Sequence, residues 1–229
     1  MRFPKTIAAA TFGLTLLATL AYTQTPAASS AAPKNFSLTG DRFAPLTWDS
    51  MTPEQKTMVE HILSSGRTSL GGPFNVMLRS PGMGDLAQAL GAQIRFHSSL
   101  PPRLNELVII TTARYWMVQF EWNAHRRAAA QAGVSADVIS AIAEGKRPAK
   151  MPADETVVFN YASELLKNHA VSDATFAAAK NLLGERGVAD MMFAMGYYQL
   201  VGMLLDTDRY PLPAGVTPEL KPVNLATIY

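Results

Sequence analysis

The sequence of 229 residues carries 20 Lys and Arg against 18 Asp and Glu, with 48% hydrophobic residues and no cysteine. Near-neutral charge, with the basic residues scattered, argues against a nucleic-acid or anionic-membrane partner. Without thiols there are no disulfide staples, so stability rests on a hydrophobic core, for which a single domain of this length is sufficient.

Residues 1–23 combine Arg2 and Lys5, an apolar stretch over 7–21, and small or polar residues after it. This is the layout of a cleavable secretory signal, and the apolar run is short of the ~20 residues that span a bilayer. The sequence therefore predicts a periplasmic or secreted protein with no stable membrane anchor after cleavage. Removing this segment takes away two basic residues and leaves 18 of each sign, a neutral mature chain. Residues 24–44, rich in Ala, Ser, Thr and Pro, read as a flexible leader.

From residue 45 the punctuation is helical. Thr52-Pro53-Glu54-Gln55 supplies a capping hydroxyl, a first-turn proline and a Gln three residues on, which opens a helix with a capping box. Gly71-Gly72-Pro73 breaks the chain, and Ser80-Pro81-Gly82 leads into a helix holding Leu86, Leu90 and Ile94. Pro101 and Pro102 reset it for a helix to about Tyr115, followed by one over 118–133 that Gly133 ends. Ser135 caps a short helix over 136–144, and helices over 153–168, 172–183 and 187–205 follow. The last is apolar nearly all round, so it is expected at the centre of the fold or at a subunit interface. No strand pattern appears, which makes the fold class all-α. Residues 210–229, with Pro211, Pro213, Pro218 and Pro222, read as an extended tail, free to wrap on a neighbour.

Chemistry-bearing residues concentrate in one place. Glu121 and His125 stand four residues apart on one helix face, where their side chains can meet. Glu106 lies on the preceding helix, which a tight antiparallel connection brings alongside. Two carboxylates and an imidazole in a half-buried pocket make a proton relay, because neighbouring charges and burial split their pKa values. Two ligands on one helix fall short of the three that a catalytic zinc needs, so no metal site is expected.

Pro101-Pro102-Arg103-Leu104-Asn105-Glu106-Leu107, then Glu121-Trp122-Asn123-Ala124-His125 and Ala132-Gly133, resemble the core of the carboxymuconolactone decarboxylase family, which shares its helical fold with alkyl hydroperoxidase D. The peroxidase relatives carry Glu, eleven residues, Cys, two residues, Cys, three residues, His. The matching positions here are Glu106, Val118, Glu121 and His125, so the outer pair is kept and both cysteines are replaced. The resemblance is to the decarboxylase branch and covers roughly residues 45–213. It implies a single-domain alkyl hydroperoxidase D-like fold, a cofactor-free site, and a homo-oligomer, trimer or hexamer, joined through apolar helices.

The resemblance further implies a carboxy-lyase acting on a small acidic substrate, a carboxylated lactone or aromatic-derived acid. His125 is expected to deliver the proton, Glu121 to orient its ring, and Glu106 to be a second acid or a group held by Trp122 and Arg103. Arg95, Arg103 and Arg114 are the candidate partners of a substrate carboxylate. His97, Tyr115 and Trp122 are candidates for lining the cavity. The alternative is a non-catalytic periplasmic binding or assembly protein that keeps the fold.

Overall fold

The structure, a computed structural model, describes residues 31–34, 36–224 and 227–228. The expected signal segment and the first part of the leader lie outside the described residues. Every regular element among the described residues is helical: a 3-10 turn Trp48–Ser50, then α1 Pro53–Ser64, α2 Phe74–Met77, α3 Pro81–Phe96, α4 Pro102–Tyr115, α5 Gln119–Gln131, α6 Ala136–Ala143, α7 Ala153–Asn168 and α8 Asp173–Asp208.

The expected punctuation sets these boundaries. Thr52 Oγ1 accepts from Gln55 N at 3.3 Å while Gln55 Oε1 accepts from Thr52 N at 2.9 Å, the reciprocal capping box at the start of α1. Gln55 Nε2 also donates to Leu78 O at 2.7 Å, which ties α1 to the turn before α3. Ser135 caps α6 by accepting from Val138 N, and Ser172 caps α8 by accepting from Thr175 N. The helices expected over 172–183 and 187–205 are continuous through hydrogen bonding, with a break at Gly184, whose φ of 68° and ψ of 174° are non-helical.

The centre of the fold is α4, flanked by α5, α7 and α8. From Leu104 to Arg114 every residue except Glu106 is buried. Its polar members are satisfied from within: Thr111 and Thr112 bond back to the carbonyls of Leu107 and Val108, and Asn105 Nδ2 donates to Ile94 O at 3.0 Å. The apolar helix expected at the centre or at a subunit interface, α8, is two-sided. Val188, Met191, Met195 and Leu205 face the core, while Met192, Phe193, Leu200 and Met203 are exposed. Met83, Leu86 and Leu90 on α3 are exposed too, and Leu90 shares a groove with Phe193. By length and composition α8 is apolar enough to cross a membrane, but half of its most apolar window is buried inside the fold.

Both extended ends are docked where the sequence suggests freedom. The buried Asp208 carboxylate accepts from Asp41 N at 3.1 Å and Phe43 N at 2.8 Å, and Asn75 Nδ2 donates to Phe43 O at 2.7 Å. Phe36 packs edge-on against Trp48, with ring centroids 5.5 Å apart. The leader therefore joins the fold at about Phe36, before the expected start at 45, because a buried carboxylate and an aromatic contact hold its backbone. The proline-rich tail lies on its own chain: Gln119 Nε2 donates to Leu220 O at 2.7 Å, its Oε1 accepts from Leu220 N at 3.1 Å, and Arg126 pairs with Glu219 at 2.8 Å.

Candidate active site

The α4–α5 connection does what a tight antiparallel turn is expected to do. Trp116 caps α4, Met117 takes a left-handed φ of 61°, and Val118 N donates to Ala113 O at 3.0 Å. A non-glycine residue in this region costs about 1–2 kcal/mol, which the buried helix packing on both sides offsets. The chain reverses within three residues, so α5 runs back along α4 and His125 meets Glu106.

His125 Nδ1 lies 2.8 Å from Glu106 Oε2, with the imidazole 6% exposed. An ionised carboxylate only accepts, so the hydrogen of this bond is assigned to Nδ1, and Nε2 is the ring nitrogen left for a substrate. Tyr198 packs edge-on against the imidazole, centroids 4.8 Å apart, and Tyr197 packs edge-on against Tyr198 at 5.4 Å. Ring position and tautomer are thus fixed by a carboxylate on one side and an aromatic edge on the other.

Glu121 does not orient His125 as expected from their spacing. Its carboxyl is buried and neither oxygen has a hydrogen-bond partner. The side chain lies near α8: a Cβ on Gly202 would stand 4.0 Å from Glu121 Oε2, an ordinary contact, and 2.7 Å from Val118 Cγ2, so Gly202 makes room for Val118. Burial pushes the Glu121 pKa well above the ordinary carboxylate value, with the Asp206 charge adding to the effect. Glu121 is therefore an acid kept neutral, and Glu106 takes the orienting role.

Glu121 and His125 line a pocket of about 480 Å³ walled by Phe74, Phe120, Tyr197 and Tyr198, with Arg67 and Arg95 also lining it. The Tyr198 hydroxyl is buried without a partner, and burial raises its pKa well above the usual phenol value. Burial likewise pushes Tyr197 up to about 12. Both phenols are thus hydrogen-bond donors at neutral pH.

Of the other expected site residues, the structure brings only Arg95 to this pocket. Arg103 turns the other way and pairs with Asp154, at 2.6 Å, and Glu155, fastening the start of α4 to the start of α7. Arg114 is fully buried and donates Nη2 to Lys221 O at 2.9 Å, holding the tail. His97 is exposed at the C-cap of α3, where its carbonyl accepts from Gln93 Nε2 at 3.1 Å. Tyr115 packs against the core, and Trp122 is fully buried in it; neither lines the pocket.

Arg67, Tyr197 and Tyr198 belong to the pocket and are missed by sequence reasoning. Arg67 precedes the Gly-Gly-Pro break and matches no motif. The two tyrosines sit within an apolar run that reads as core. One signal was present: Gly91 in mid α3, where a Cβ would stand 2.1 Å from the Tyr197 hydroxyl, so only glycine lets that ring reach the pocket.

Residues 81–164 match the model of the carboxymuconolactone decarboxylase family. No curated protein matches the chain. The matched segment holds α3 to α6 and most of α7, with Glu106, Glu121 and His125 at its centre, in an all-helical fold of the alkyl hydroperoxidase D-like kind. Through that segment the chain is similar to the carboxymuconolactone decarboxylase family.

Proposed function

We propose that the protein is a cofactor-independent carboxy-lyase that moves a proton onto a small carboxylated lactone or a related unsaturated acid. The observation that carries this reading is the His125–Glu106 bond in the wall of a pocket that also holds a neutral Glu121. One group is poised to exchange a proton and another to donate a hydrogen bond, two roles separated by environment.

In this reading the substrate's carboxylate leaves as carbon dioxide, and the electron pair of the broken C–C bond passes into the conjugated carbonyl. Glu121, as the neutral acid, donates a hydrogen bond to the oxyanion that develops there, joined by the Tyr198 hydroxyl. Imidazolium Nε2 of His125 delivers one proton to the ring carbon. Glu106 keeps Nδ1 protonated throughout and stabilises the imidazolium before transfer. His125 recovers its proton from water, so the reaction consumes one proton and releases one molecule of carbon dioxide. The chain has no cysteine, so the thiol chemistry of the peroxidase relatives is closed to its own residues.

The test is carbon dioxide release from carboxylated lactones and aromatic acids by the purified protein. His125→Ala is expected to lower turnover by about 10²- to 10⁴-fold, the usual contribution of a positioned acid or base, while ligand affinity stays. Turnover that survives His125→Ala would refute the assignment. Ligand binding with no turnover of any of these acids would favour the non-catalytic binding protein.

A further inference from the structure

Among the described residues, the arginines differ in whether a carboxylate pairs with them. Arg103 has two carboxylates and Arg126 has Glu219. Arg67 and Arg95, which line the pocket, form no ion pair with any described residue.

Arg67 is nevertheless held in place. It lies between α1 and α2, where Gly66 and Gly72, with φ of 94° and 88°, turn the chain on either side. Its guanidinium carbon stands 5.3 Å from the Phe74 ring centroid and 5.9 Å from that of Phe96. Nη1 donates to Ser65 Oγ at 2.8 Å and Nη2 to Gln88 O at 3.4 Å. Arg95 lies over Phe96 as well, 5.6 Å from its centroid. Two guanidinium groups therefore share one aromatic ring and one cavity, and the carboxyl in that cavity, Glu121, is neutral. Burial disfavours the Arg67 charge most and Arg95 adds like-charge repulsion, partly offset by Tyr197 and Tyr198.

We propose that Arg67, with Arg95 beside it, is a carboxylate-binding subsite, and that the pocket takes small planar carboxylates whose uncharged part lies between the aromatic walls. A guanidinium fork matches a carboxylate in a way that a point charge does not. Arg67 lies upstream of the family-matched segment, so the cation that selects the ligand comes from a part of the chain that the family model does not cover. The proposal rests on the pocket being the substrate site but not on the reaction performed there.

The test uses the full-length protein and two isosteric probes, benzoate and benzamide, with affinities measured by calorimetry. Benzoate is expected to bind about 10- to 100-fold more tightly, the range for a charge-assisted hydrogen bond. Arg67→Met, which keeps the stem packed on Phe74 and Phe96, is expected to erase that preference and leave benzamide binding unchanged. Arg67→Lys is expected to keep part of it. Equal affinity of the wild-type protein for the two probes, or a preference that Arg67→Met leaves intact, would overturn the proposal. His125→Ala is expected to keep the benzoate preference. A preference lost with Arg67 but turnover surviving His125→Ala would therefore sink the proposed reaction alone. The converse would sink the subsite alone.

Discussion

The two walls of the pocket differ in origin and in task. One comes from α5 inside the family-matched segment and carries Glu121 and His125, with Glu106 of α4 bonded to His125. The other comes from the segment before α2 and from α8, outside it, and carries Arg67, Tyr197 and Tyr198. In the proposed reaction the first wall supplies the proton-transfer groups, held by the Glu106–His125 bond between α4 and α5. The second sets the shape and charge that a ligand meets. The family-matched segment therefore holds the groups of the proposed proton transfer and Arg95 of the proposed subsite, while Arg67 lies outside it.

The largest effect expected on the first wall is from Glu106→Gln. If Glu106 fixes the His125 tautomer, its amide should lower turnover by at least ~100-fold, as loss of a tautomer-fixing carboxylate does elsewhere, with little change in ligand affinity. A loss confined to KM would place Glu106 in binding and erase the distinction between the walls.

Glu121→Gln sharpens the same wall through stability. Burial raises the folded-state pKa of Glu121 well above the ordinary carboxylate value of 4.5, so its favourable contribution is full below pH 4.5 and is lost as pH rises toward the folded-state pKa. The neutral amide does not titrate. Stability of Glu121→Gln relative to the wild type should therefore grow from pH 4.5 upward, by up to ~1.4 kcal/mol per pH unit over that window, measured by urea unfolding across pH. A pH-independent difference would mean that Glu121 is not held neutral.

On the second wall, Gly91→Ala should be smaller in effect. The new methyl would overlap the Tyr197 hydroxyl, which must shift, at a cost of about 1–3 kcal/mol. Thermal unfolding reads the cost, and weakened ligand binding with Glu106–His125 coupling intact would show that the walls act separately. An unchanged protein would mean that Tyr197 is not set by α3.

Local signals carried most of the fold. Thr52, Ser135 and Ser172 each cap the helix that the sequence assigns to them, because capping depends on residues three apart. Gly184 breaks α8 where two helices were expected, for a similarly local reason. Long-range pairing was not legible. That α4 rather than α8 is the buried axis depends on what packs around each helix, and both read as apolar. The same limit applies to the site. The positions of Glu106, Glu121 and His125 were readable from spacing, but which carboxyl meets the imidazole depends on how α4 and α5 pack, which brings Glu106 to His125 and leaves the buried Glu121 without a hydrogen-bond partner. Arg103 and Arg114 looked like substrate partners because charge is visible in a sequence and direction is not; Asp154, Glu155 and the tail carbonyl of Lys221 take them instead.

The central claim is that Glu106, not Glu121, fixes the His125 ring, and nitrogen NMR of the imidazole tests it without any substrate. With His125→Ala identifying the signals among the four histidines, the wild-type protein should show a protonated Nδ1 whose shift changes strongly in Glu106→Gln and little in Glu121→Gln. The reverse pattern, a ring that responds to Glu121 and ignores Glu106, would contradict the claim.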